Sequence, residues 1–168
     1  EVYFVLGNHE YYSGVDDWWL FLSSLGVKVL VNRHVLYRRG EDVLVIAGVD
    51  DPRGARSTGG PDVEGALKGA NPNLEIILLA HRPNELDEAA RHGVGLQLSG
   101  HTHGGGQMWP FTWLSRFAFP VVAGWGHKGR TQLYVNAGTG YVGPPVRVGT
   151  APEITHFTLH RGQRAARS

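Results

Sequence analysis

The chain has 168 residues, 42% apolar and 18% charged, with a formal net charge of +1 and no cysteine. That composition suits one globular domain with its own core and excludes intrinsic disorder, disulfides and thiolate metal sites, and a global field that would select nucleic acid or an acidic membrane. No apolar run approaches the ~20 residues needed to cross a bilayer.

The chain opens on a short β-prone apolar run, 2–6, halted by Gly7 and Asn8, which reads as a buried strand feeding a loop. An apolar strand at the first residues, with no Met and no lead-in, implies strand neighbours upstream. The expectation is a fragment with an open sheet edge and an exposed apolar face. Trp18, Leu22 and Leu25 recur at helical spacing, with Asp16 or Asp17 as N-cap and Gly26 just past the end, predicting a helix over 16–25. Residues 27–32, 34–39 and 42–51 read as strands, the last two joined by a turn around Gly40.

A polar, Gly-rich loop covers 52–61. A short helix over 62–70, a continuous apolar strand over 74–80, a helix over 84–92 ending at Gly93 and a strand over 94–100 follow. The order α-β-α-β implies parallel strands with helices packed on the sheet. Beyond the glycines at 104–106 the texture turns aromatic and Pro-broken, through Trp109, Phe111, Trp113, Phe117, Phe119 and Trp125. That stretch reads first as packing under a long loop, and second as an apolar lip for a lipid-linked substrate. Period-2 alternation predicts late strands over 131–138 and 153–161, and the basic tail reads as a frayed, solvated end.

Four histidines carry the chemistry. His9, His81 and His101 each sit at or just after the end of an apolar strand, where α/β sheets build their sites. His103 lies two residues beyond His101, on the same side if the loop is extended. Two such imidazoles suit one metal, or a pair of ions about 3.5–4 Å apart, and Gly104, Gly105 and Gly106 let backbone and an incoming anion approach. Neutral imidazole suits Zn, Fe, Mn or Co. By contrast His34, His92, His127, His156 and His160 read as ordinary hydrogen-bonded core or surface residues. Asp50 and Asp51 follow a strand, but "VDDPRG" reads as a turn whose carboxylates cap backbone donors, rather than as metal ligation. Arg53, Arg56 and Arg147 read as surface charge.

The blocks "GNHE" (7–10), "AHRP" (80–83) and "GHTHGGGQ" (100–107), in that order, resemble the last three blocks of the calcineurin-like metallophosphoesterases. The closing "NAGTGYVGPPVRVGTAPEIT" (136–155) resembles the bacterial branch containing membrane-associated phosphodiesterases. The resemblance implies an α/β fold with a two-sheet β-sandwich flanked by helices, here lacking its N-terminal strands, so that 1–168 is the C-terminal part of one domain. It implies two divalent metal ions (Mn, Fe, Zn or Co), with Asn8, His81 and His101 as ligands of one, His103 as a ligand of the other, and His9 near the leaving-group oxygen. The implied activity is hydrolysis of phosphate esters, chiefly diesters, by a hydroxide held on both ions. The implied partners are a phosphate ester, lipid-linked ones included, and a membrane surface reached through an upstream segment. The family's Asp-x-His and Gly-Asp blocks do not occur in the chain, and the competing expectation is a degenerate or truncated metal-binding module without activity.

Overall fold

A computed structural model of the chain describes residues 1–105 and 117–160. The elements in chain order are β1 (Tyr3–Phe4), α1 (Asn8–Ser13), α2 (Val15–Ser24), β2 (Lys28–Val29), β3 (Arg33–Arg39) and β4 (Asp42–Gly48). Then come α3 (Val63–Leu67), β5 (Glu75–Leu79), α4 (Leu86–Arg91), β6 (Leu96–Ser99), β7 (Gly124–Lys128) and β8 (Thr131–Val135), with single 3-10 turns at Pro52–Arg56 and Pro83–Glu85. Six strands form one sheet in the order β3-β4-β5-β6-β8-β7, and β1 pairs with β2 in a separate two-stranded sheet. This mixed α/β architecture, a multi-strand sheet flanked by helices, is the expected fold class.

The predicted strand order is realised closely at the centre. β3 and β4 form an antiparallel hairpin turning at Gly40 and Glu41, and Gly40 takes the left-handed φ of 60° that a tight turn needs. β4, β5, β6 and β8 run parallel to one another. The connections through α3 and α4 make that possible, because a parallel pair needs a crossover. Period 2 then divides the apolar residues between the two sheet faces. Val45, Ala47 and Val49 of the β4 segment and Ile76 and Leu78 of β5 pack beneath Val63 and Ala66 of α3 and Ala89 of α4, all buried. Full burial of a side chain such as Leu78 contributes roughly 1.5–3 kcal/mol. On the opposite face, among the described residues, Leu30, Ile46 and Ile77 form the buried cluster, and Val35, Tyr37, Leu44, Leu79, Leu96 and Leu98 are covered in part.

Several expectations are corrected. The segment after Gly7 is not a loop but α1, because Glu10 reaches back to accept from the Gly7 amide at 2.7 Å and satisfies a first-turn donor. Helix α2 starts at Val15 with Asp16 and Asp17 inside its first turn, and it buries no side chain completely. Its inward stripe is Val15, Trp19 and Leu22, while Trp18 and Leu25 face outward. The segments at 2–6 and 27–32 contribute only two paired residues each, Tyr3↔Lys28 and Phe4↔Val29. The described part of 153–161 joins no strand ladder. Its alternation survives as Glu153, Thr155 and Phe157 turned inward, with Phe157 edge-on to Tyr134 and Trp125, since a strand needs a hydrogen-bonded neighbour as well as a pattern. β7 was not anticipated: its two glycines argue against a strand, yet it pairs with β8 across a Gly129–Arg130 turn. Gly106, Trp109, Phe111, Trp113 and the tail lie outside the described residues. Among the described residues no helix is long and apolar enough to cross a membrane.

Candidate metal centre

The parallel order sends the carboxyl ends of β4, β5 and β6 to one edge of the sheet, and the site residues gather there. His81 follows β5 by two residues and His101 follows β6 by two. Backbone bonds tie these two exits together: Ala80 N donates to Leu98 O and Gly100 N to His81 O, each at 3.1 Å. Asn8, the first residue of α1, is buried and approaches from the other side of the chain. His81 Nε2 lies 2.9 Å from Asn8 Oδ1 and 3.1 Å from His101 Nδ1. The two imidazole rings meet edge-on at 4.9 Å between centroids, and His101 rests edge-on against Phe119 at 5.5 Å. Gly7 makes this closeness possible, since a Cβ there would lie 2.7 Å from His81 Cε1.

The His-Thr-His loop is not extended, as its spacing suggested. His101 and His103 both adopt left-handed φ angles, 69° and 51°, a conformation that costs an ordinary residue on the order of 1 kcal/mol or more. Thr102 between them is buried, and its hydroxyl donates to Val122 O at 2.6 Å, anchoring the loop by its middle residue. Gly104 admits a neighbouring loop rather than only an anion: a Cβ there would stand 2.8 Å from Thr150 Cγ2. Arg147 is not loose surface charge. Its Nε donates to Gly140 O and its Nη2 to Ala137 O, both at 2.9 Å, which latches residues 137–147 beside His103. His9 is exposed on α1, edge-on to Tyr12 at 5.6 Å, and its charge acts on His81, His101 and His103 alike.

Burial is the main reason the three clustered imidazoles resist protonation. It holds His81 down at about 4, helped by the His101 charge, and His101 down at about 4, helped by the Arg82 guanidinium. His103 is lowered too, by burial and then by Arg147. Both His81 and His101 start from an ordinary 6.5. As pH falls through 6.5 the unfolded chain binds these two protons while the folded chain does not, so stability drops. The metal-free protein is therefore expected to lose thermal stability progressively between pH 6.5 and 4 and to level off below, as read by the unfolding midpoint across buffers. A flat profile over that window would place both rings in contact with water.

The donor set can be tested against a divalent ion. Two donors bound to one ion at about 2.0–2.2 Å stand about 3 Å apart, which is the spacing of His81 Nε2 from Asn8 Oδ1 and from His101 Nδ1. An amide oxygen and two neutral imidazoles are suitable in kind. The set holds no anionic ligand, and among the described residues no group of three or more His, Cys, Asp or Glu side chains converges to hold a metal. Asp50 and Asp51 are engaged elsewhere, Asp50 by Tyr11 and Thr58 and Asp51 by Arg82, as befits the turn read from "VDDPRG". His34 and His92 serve structure, His34 Nδ1 meeting Ala66 O at 2.8 Å and His92 Nε2 meeting Glu88 at 3.1 Å. Sequence reasoning missed the contacts of Tyr11 and Arg82, whose partners lie 39 and 31 residues along the chain, and those of Arg147, whose partners are backbone carbonyls within one irregular loop.

A family model described as calcineurin-like phosphoesterase matches residues 1–105. A Danio rerio "Transmembrane protein with metallophosphoesterase domain" is 42% identical over 167 residues, covering 94% of this chain and 38% of the relative. Its Bos taurus counterpart by name is 42% identical over 170 residues with the same coverage. An "Uncharacterized metallophosphoesterase" of Helicobacter pylori strain J99 is 38% identical over 160 residues, 94% of this chain and 42% of its own length. The chain thus spans well under half the length of these curated relatives. No solved structure matches it. With residues 1–105 of its 168 matched by the family model and His81 and His101 gathered at one sheet edge, the chain belongs to the calcineurin-like phosphoesterase family.

Proposed function

We propose that the protein hydrolyses phosphate esters, diesters in particular, at a centre of two divalent metal ions. The chain contributes Asn8, His81 and His101 to one ion and His103 to the other, as the C-terminal part of one domain whose anionic ligands come from elsewhere in the protein. The observation that carries the reading is the spacing of three lone-pair donors, 2.9 and 3.1 Å around His81 Nε2.

Divalent ions supply Lewis acidity at phosphoryl oxygens. The chain's own residues hold the ions and move the proton. Burial keeps the His81 and His101 rings unprotonated at neutral pH, so no proton competes for their lone pairs. Asn8 adds a neutral oxygen that needs no deprotonation. His9 is exposed on the first turn of α1 next to Asn8, and the proposed role for it is to give a ring proton to the departing oxygen as general acid. Two relatives are named as transmembrane proteins, which favours a membrane surface as the place of reaction; lipid-linked diesters are the substrate subclass proposed for it.

The test is metal analysis of the purified protein together with turnover of bis-p-nitrophenyl phosphate in the presence of Mn²⁺. Two retained ions per chain with turnover is the expected result. One labile ion without turnover would support a degenerate metal-binding module and overturn the proposed activity.

A further inference from the structure

Two adjacent aspartates at the carboxyl end of β4 are buried, Asp50 at 2% and Asp51 at 0% exposure. Burying one carboxylate costs several kcal/mol unless it is paired or fully hydrogen-bonded, so a pair of them needs a reason. Their partners supply it. Successive side chains on an extended segment point to opposite sides, and these two reach different elements.

Asp50 grips α1. Tyr11 Oη donates to Asp50 Oδ1 at 2.6 Å and to Oδ2 at 2.7 Å. The Thr58 hydroxyl donates to Oδ2, and the Asp51 amide donates to Oδ1 at 2.8 Å. Tyr11 stands three residues after Asn8, on the same side of that short helix. The contact is built into the backbone opposite: a Cβ on Gly54 would fall 2.0 Å from Asp50 Oδ2 and 2.5 Å from Tyr11 Oη. Asp51 grips the residue after His81. Arg82 Nε donates to Asp51 Oδ2 at 2.8 Å and Arg82 Nη2 to Asp51 Oδ1 at 3.2 Å, a two-pronged pair, while Asp51 Oδ1 also accepts from Arg53 N at 2.9 Å. The carbonyl of Arg82 is held from the opposite side by Ser99 Oγ at 3.1 Å. Arg82 is thus fixed by both its side chain and its backbone, and His81 is the next residue along.

We infer that Asp50 and Asp51 are positioning residues that clamp the Asn8-bearing helix and the His81-bearing turn to the same strand end, setting the 2.9 Å spacing between Asn8 Oδ1 and His81 Nε2. The inference rests on the proposed metal centre. It differs from simple stabilisation because it predicts an effect on the folded protein's affinity for metal. Partners that orient metal ligands from behind are worth 10–100-fold in affinity, so each half of the clamp should register in binding.

The experiment is calorimetric titration of the full chain with Mn²⁺. Tyr11→Phe and Asp51→Asn are each expected to raise the Mn²⁺ Kd about 10-fold or more. Tyr11→Phe combined with Asp50→Asn should weaken binding no further than the stronger single change, since both cut one contact. Arg82→Lys stands in for Asp51→Asn should the latter fail to fold, and it loses the two-pronged geometry with the charge kept. Asp62→Ala is the control: it removes the cap on Gly65 N at the start of α3, so it should lower the melting temperature and leave the Kd unchanged. Parent-like Kd values in Tyr11→Phe and in the Asp51 or Arg82 variant would overturn the clamp alone. A parent protein that binds no Mn²⁺ would overturn the metal centre and the clamp with it.

Discussion

Gly7→Ala is expected to cost at least about 100-fold in phosphodiester hydrolysis, because a displacement of about 1 Å at a catalytic group is enough for a loss of that size. The added methyl carbon would sit 2.7 Å from His81 Cε1 and 2.8 Å from both ring nitrogens, so ring and methyl cannot share the space. The ring is the part that yields. Its backbone is pinned through the bond from Gly100 N to His81 O, and rotation about the side chain carries Nε2 away from Asn8 and His101. Overpacking costs about 1–3 kcal/mol, so the protein should remain folded with a lower melting temperature, and its Mn²⁺ affinity should fall with activity. Gly7 has no unusual φ to defend, being extended at −110°, which makes the substitution a purely steric probe. A Gly7→Ala protein with the parent's Kd and kcat would show that the ring has room, and would remove the close approach as a condition of function.

His9→Ala should behave differently. A general acid contributes about 10²–10⁴-fold to rate, so kcat is expected to fall by about 100-fold or more while metal content and melting temperature stay at the parent's values. Exposure is the reason for the second half: a solvent-facing side chain on α1 gives up little on truncation. Loss of bound metal in parallel with kcat would make His9 a ligand or a prop for ligands, and the acid role would be withdrawn.

Much of the site was legible because strand ends announce themselves. An apolar run followed by glycine or a polar residue and then histidine, repeated at 9, 81 and 101, says that imidazoles leave a sheet at one edge, and the α-β-α-β order between 62 and 100 says that the strands are parallel. Together these bring His81 and His101 within hydrogen-bond distance. What stayed hidden is long-range or backbone-borne. Nothing local in "DD" tells which side chain seeks Tyr11, 39 residues away, and which seeks Arg82, 31 residues away. The left-handed turn at His101 and His103 breaks the extended spacing assumed from an i, i+2 pair, because Thr102 takes the inward position. Helix α1 was missed because its start depends on one glutamate folding back to the Gly7 amide, a capping contact with a weak sequence signature. Helix α2 was placed within a residue of its bounds, but of the three apolar residues that marked it only Leu22 turns inward: a ring of apolar residues offers more than one stripe, and only the partner surface chooses between them.

The bond from Asn8 to His81 closes 73 residues of chain. Closing so large a loop carries an entropic penalty that grows only slowly with length, but it must be met before any contact at the site returns free energy. The three donors of the candidate site can therefore meet only once β5 and β6 have aligned, and on a ribosome only once the segment carrying His101 has emerged. A chain released before that point holds its histidines apart, so the meeting of Asn8, His81 and His101 reports that the β5–β6 part of the sheet has formed.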